Sequence, residues 1–196
     1  MLKKITNYMP LVNPRFLSAS TLTLGILLPS SLLALPAVAV QLSNGQIAFN
    51  YPPRLLRAAT SSIGPNAPAT YYFTLSVPKN AGEPLGAVTI TPRENLEKVA
   101  FNVSQSRAFI GKRFARGPEV PLASIGGTQP AKSGEVTVAF NPPVQPGKTV
   151  TVALQAKKNP TGGGIYLFGI KAFPAGENSY GQFLGYGRLH FYSNSR

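Results

Sequence analysis

The chain has 196 residues and a formal net charge of +13, from 19 Lys and Arg against 6 acidic residues, all of them Glu. It contains no Cys, no Asp and no Trp, a single His, and 19 residues each of Gly and Pro. These counts exclude a disulfide scaffold, leave few ligands for a structural metal site, and favour many short strands and turns over long helices.

The first 39 residues read as an address. Lys3, Lys4 and Arg15 form a basic start, Leu22–Leu35 is apolar, and Pro36-Ala37-Val38-Ala39 places small residues where a signal peptidase cuts. This is the pattern of a helical secretory signal peptide, cleaved between Ala39 and Val40. The apolar run is only 14 residues long and holds Pro29, Ser30 and Ser31, whereas a membrane span needs ~20 apolar residues. No transmembrane segment is expected after cleavage. No Cys follows the run for lipid attachment and no Arg pair precedes it, so the general secretory route is expected. Residues 40–196 then form a single domain of 157 residues, with 16 basic and 6 acidic residues and a net charge of +10.

Alternation of apolar and polar residues dominates the remainder of the chain. Gln46–Tyr51 places Ile47, Phe49 and Tyr51 on one face, up to the break at Pro52-Pro53. Arg54–Thr60 fits a strand or one helical turn. Thr70–Val77 is a clear strand with Tyr71, Phe73, Leu75 and Val77 inward, and Ala87–Thr91 is a short one. Pro92–Glu97 suits a brief helical turn with Pro at its first position. Val99, Phe101 and Val103 give the next alternation; Pro118–Gly134 is a long connection without clear period. Glu135–Phe140 and Thr149–Ala156 are the cleanest strands. Two apolar runs close the chain: Ile165–Phe173, read as a central strand covered on both faces, and Phe183–Tyr192. In the latter, Leu184, Tyr186, Arg188, His190 and Tyr192 share an outer face, with Phe183, Leu189 and Phe191 on the core side. Roughly nine short strands, with turn residues between them and no sustained helical period, predict an all-β fold, an antiparallel immunoglobulin-like β-sandwich.

Several runs carry a resemblance. Ala81-Gly-Glu-Pro-Leu85, Phe140–Val152, Lys158-Asn-Pro160 with Gly163–Ile170, Ala172–Glu177 and Gly181–Leu189 are similar to a cyanobacterial family of small exported proteins catalogued only as a domain of unknown function. The resemblance covers about Leu42 to Tyr192. It implies export and a single domain, and it transfers no catalytic residue. The shorter run Val144–Val152 also resembles the strand entry of immunoglobulin-like modules.

The residue inventory narrows the chemistry. With one His and no Cys, Met or Asp in residues 40–196, neither a metal nor another cofactor is expected. His190 lies at the end of a strand, away from any nucleophile-elbow motif. The six Glu are scattered, although Glu83 and Glu177 each follow Ala-Gly in a loop, where capping a turn is the plainer role. Two surfaces remain. In Arg107–Gly117, the cations Arg107, Lys112, Arg113 and Arg116 interleave with Phe109 and Phe114, a mix that holds polyanions, or else a solvated strand edge. The polar-aromatic face Tyr186, Arg188, His190 and Tyr192 offers rings and hydrogen-bond donors to a sugar, or else cross-strand pairs that stabilise the sheet.

The expectation is therefore an exported, non-catalytic binding or structural module of the periplasm or cell surface, taking acidic polysaccharide or another envelope polymer and no nucleic acid. A Glu-based glycan-processing enzyme and a module that adds a strand to a protein partner are the alternatives.

Overall fold

In the computed structural model, residues 40–93, 97–112, 117–125 and 134–193 are described. The predicted signal peptide therefore lies outside the described residues, as do Arg113, Phe114, Arg116 and the middle of the predicted turn at Pro92–Glu97. Among the described residues no helix is long and apolar enough to cross a membrane.

Strict alternation produces the centre of the molecule. Strand β4 (Ala69–Ser76) turns Tyr71, Phe73 and Leu75 inward, each fully buried. It pairs antiparallel with β9 (Thr149–Ala156), whose Val150, Val152 and Leu154 lie on the same side. β3 (Arg54–Thr60) flanks β4 as a strand, which settles the choice left open by its sequence, and β6 (Phe101–Ile110) flanks β9. The resulting four-stranded sheet has the order β3-β4-β9-β6.

The second sheet has five strands, in the order β11-β10-β5-β8-β7. They are β5 (Leu85–Pro92), β7 (Leu122–Ile125), β8 (Val136–Val144), β10 (Gly164–Pro174) and β11 (Gln182–Phe191). Their inward residues, among them Val88, Ile90, Val138, Tyr166, Phe168 and Ile170, pack against the first sheet in one core. A small ribbon of β1 (Val40–Gln41) and β2 (Ile47–Ala48) completes the structure. Every pairing within the sheets is antiparallel. The fold is the expected immunoglobulin-like β-sandwich, with nine strands in its two sheets.

Tyr71 is the aromatic centre of the core. Its ring meets Phe101 and Phe168 edge-on at 5.6 and 5.7 Å. Its hydroxyl donates to Asn159 Oδ1 at 3.0 Å, and the Asn159 amide donates to Ser62 O at 3.0 Å and Gly64 O at 2.8 Å. Burial pushes the Tyr71 phenol far above its ordinary range, with the neighbouring Tyr166 adding to the shift.

Four expectations need correction. The connection Pro118–Gly134 contains β7, a four-residue edge strand whose sequence shows no period. β10 is next to the edge and is covered on one face only: Tyr166, Phe168, Ile170 and Ala172 are buried, whereas Ile165 is half exposed and Lys171 exposed. Tyr51 faces outward, because β2 ends at Ala48 and the alternation ends with it. In β11 the phase slips. Ile170 pairs with Gly185 but Lys171 pairs with Phe183, so Leu184 is an extra, bulged residue. Leu184 packs against the core and Phe183 points outward, 57% exposed. Gly185, at φ 122°, takes a backbone conformation that a side chain would strain.

Candidate functional site

The slip in β11 builds a site on the outer face of the five-stranded sheet. Gly169 of β10 pairs with Tyr186 of β11 and Thr91 of β5, so a residue without a side chain sits between two neighbours that have one. The rings of Phe183 and Tyr186 lie over that bare backbone: a Cβ at Gly169 would stand 3.4 Å from Phe183 and 3.6 Å from Tyr186. Aromatic cover of a sheet glycine is a stabilising device in its own right. The two rings meet edge-on, with centroids 5.1 Å apart and planes at 70°, and both remain about half exposed. They wall a shallow cleft of about 210 Å³.

Cations surround it. Arg93, just past the end of β5, places its guanidinium 5.2 Å from the centre of the Tyr186 ring. Its position is fixed by the backbone, since Arg93 N–H donates to Leu167 O at 2.9 Å. Lys171 lines the same cleft, and Arg188 lies one outward position along β11, opposite Leu167. None of these three cations has a carboxylate within ion-pair distance among the described residues. The nearby Glu135 accepts a hydrogen bond from Thr91 Oγ1 at 2.7 Å. The arrangement suits an anionic ligand with a flat face: rings to stack on, and cationic donors to meet a carboxylate.

The residues singled out from the sequence are distributed unevenly about this site. Tyr186 lies in it. Arg188 and His190 continue the outer face of β11, both exposed, with His190 opposite Ile165; Tyr192 follows, 65% exposed. Arg107 is elsewhere, on β6, where its guanidinium donates to both carboxylate oxygens of Glu119 at 3.1 and 3.2 Å. That exposed pair occupies the cation in a separate open cleft of about 520 Å³. Lys112 is exposed just beyond β6. Phe183, Gly169, Arg93 and Lys171 were not identified from the sequence. Gly185 was the one local signal for Phe183, as a glycine inside a strand marks a bulge; the others are joined to Tyr186 only by strand register.

Among the described residues the carboxylates show no catalytic pairing. Glu97 accepts backbone hydrogen bonds from Thr161 N at 3.0 Å and Gly162 N at 2.5 Å, which hold its carboxyl below the usual range, with Lys158 contributing attraction. It anchors the Gly162–Gly164 turn. Glu83 and Glu177 sit on adjoining turns, linked by Ala175 N donating to Pro84 O at 2.9 Å, and neither side chain makes a hydrogen bond among the described residues. No group of three His, Cys, Asp or Glu gathers among the described residues.

No curated protein matches the sequence. Among solved structures, the collagen adhesin CNA of S. aureus aligns with a TM-score of 0.41 and 6% identity, over 69% of this chain and 48% of that one. ACE19, the collagen-binding subdomain of the Enterococcus faecalis surface protein ACE, aligns with a TM-score of 0.42 and 9% identity, over 72% of this chain and 98% of that one. The C-terminal domain of the Streptococcus agalactiae AgI/II polypeptide BspA gives 0.35 and 17%, over 77% and 48%. The chain thus spans about half the length of the first and third of these. Similarity at this level carries no argument about a ligand. Sequence is more specific: residues 46–191 match the model of DUF2808, described as a protein of unknown function. The chain belongs to that family.

Proposed function

We propose that residues 40–196 are an exported, non-catalytic binding module that holds acidic polysaccharide, or a similar envelope polymer, on the outer face of β5, β10 and β11. The observation that carries this reading is the half-exposed Phe183–Tyr186 pair with Arg93 and Lys171 in the same cleft and Arg188 at the next outward position of β11, three cations without a carboxylate partner among the described residues. A net charge of +10 on residues 40–196 draws a polyanion toward the whole surface, while the rings and fixed guanidinium give one place to settle. Export rests on the leader-like first 39 residues. The basic run at Arg107–Gly117 contributes less in this reading, because Arg107 is engaged by Glu119.

Retention of the purified domain on immobilised alginate tests it. Retention should be strong at low salt and fall steeply as salt rises. Tyr186→Ala and Arg93→Ala should each elute markedly earlier, and Arg107→Ala close to the parent. No retention at low salt, retention that ignores salt, or equal elution of Tyr186→Ala and the parent would overturn the proposal.

A further inference from the structure

A second concavity, where β11 meets β3 and the turns beside it, joins the first at one residue. Phe183 alone lines both the cleft beside Tyr186 and a larger one of about 470 Å³ on its other side. The second cleft is walled by Tyr51 and the Pro52-Pro53 step, with Arg54 and Asn80 at its margin. Tyr51 is 53% exposed, and Arg54 has no carboxylate within ion-pair distance among the described residues. Each cleft thus holds an exposed tyrosine and at least one cation without a carboxylate in ion-pair distance among the described residues, and the Phe183 ring forms the ridge between them.

That ridge is built by the backbone. Without the extra residue Leu184, Phe183 would fall on the core face of β11; with it, the ring emerges and is steadied edge-on by Tyr186. The proline pair stiffens the far wall, so the ordering cost of binding there is small.

Resting on the proposed glycan-binding function, we infer that the two clefts are successive subsites of one track, that Phe183 is their shared platform, and that the ligand is a linear polysaccharide whose sugars carry carboxylates. The repeat of ring and cation matches a polymer that presents a flat sugar face and a carboxylate in each unit. One sugar unit can occupy one cleft. Only a chain can occupy both, and linking two sites on one ligand raises affinity without new contacts.

Calorimetric titration of the full domain with purified oligouronates of two and six units, alongside polyglutamate as a polyanion without sugar rings, tests the inference. The longer oligouronate should bind at least about tenfold tighter than the shorter one. Phe183→Ala should erase most of that ratio, and Arg54→Ala should weaken the longer oligomer severalfold. Polyglutamate affinity should change little with Phe183→Ala. Because Arg54 is exposed, Arg54→Ala should keep the parent melting temperature; Phe183→Ala, which removes one of the two rings over Gly169, should lower it slightly but leave a cooperative melt well above the titration temperature, which separates lost binding from lost fold. If both oligomers bind equally, or if Phe183→Ala keeps the length ratio, the two-subsite track is wrong while glycan binding stands. If Phe183→Ala weakens polyglutamate as much as the oligouronates, the platform does not read sugar rings. If neither oligouronate binds at low salt, the underlying function fails as well.

Discussion

Asn159 offers a quantitative test of what joins the core to the loops. It is 1% exposed and makes three side-chain hydrogen bonds, accepting from Tyr71 and donating to the carbonyls of Ser62 and Gly64. Replacing it with Ala does not orphan all three partners equally. Ser62 O keeps a second donor, Thr60 Oγ1 at 2.8 Å. The Tyr71 hydroxyl and Gly64 O are left without their protein partners. A buried group stripped of its partner costs ~1–3 kcal/mol, and Gly64 O, only partly buried, is the one that water can reach. The expected loss is therefore about 3 kcal/mol. For a domain of this size ~1 kcal/mol lowers the melting temperature by ~2–4 °C, so Asn159→Ala should melt about 6–12 °C below the parent in calorimetry or circular dichroism. Tyr71→Phe should cost less, ~1–2 kcal/mol, because it orphans only Asn159 Oδ1. The double variant should be less destabilised than the sum of the two, by about 1 kcal/mol, since one hydrogen bond is counted in both single variants. A loss below ~0.5 kcal/mol for Asn159→Ala, or strict additivity, would refute the assignment of this network as a tie between β4 and the loops.

The same geometry sets other outcomes. A Cβ at Gly187 would meet Ala58 Cβ and a Phe73 ring carbon at 3.0 Å each, so Gly187→Ala should destabilise by ~1–3 kcal/mol in urea unfolding. Gly169→Val should fill the cleft under Phe183 and Tyr186, lowering alginate retention more than it lowers the melting temperature. The Tyr71 phenol ionises more readily in the unfolded chain, at about its ordinary value of 10.0, than in the fold. Its contribution is thus complete below that pH and lost as pH rises above it, and Tyr71→Phe should flatten the alkaline limb of the stability curve. Glu97 behaves oppositely. Its lowered pKa gives stability above the ordinary 4.5 that is lost as pH falls below it, so Glu97→Gln should flatten the acid limb. Finally, the protein recovered from an exporting host should begin at Val40 by N-terminal sequencing; an intact leader would remove the support for export.

Much of the sandwich was legible in the sequence because one face of each sheet is buried. Thr70–Val77, Glu135–Phe140 and Thr149–Ala156 alternate cleanly, and the structure buries the residues that the alternation selects. β7 was not legible, since four residues at a sheet edge need no apolar period. The facing of Phe183 and Leu184 was misread because the bulge shifts the alternation at that point while leaving the residues from Tyr186 onward in phase, and period-two reasoning carries no record of one extra residue. Tyr186 could be marked as exposed and aromatic. That Arg93, 93 positions earlier in the chain, would lie over its ring depends on β10 standing between β5 and β11, a pairing order that no local pattern encodes.

The order of the strands also bears on how the molecule behaves in company. Each sheet margin lies against a margin of the other sheet: β11 against β3, and β6 beside β7. Short stitches cross or guard these seams. Tyr192 N donates to Ile63 O at 3.2 Å, and residues 118–120 pair along β6 through Ile110 N to Pro118 O at 2.9 Å and Val120 N to Ala108 O at 2.8 Å. Bare strand margins are what let β-proteins recruit one another into fibres. With its margins set against each other, this domain offers a neighbouring copy less open strand edge than two free sheets would.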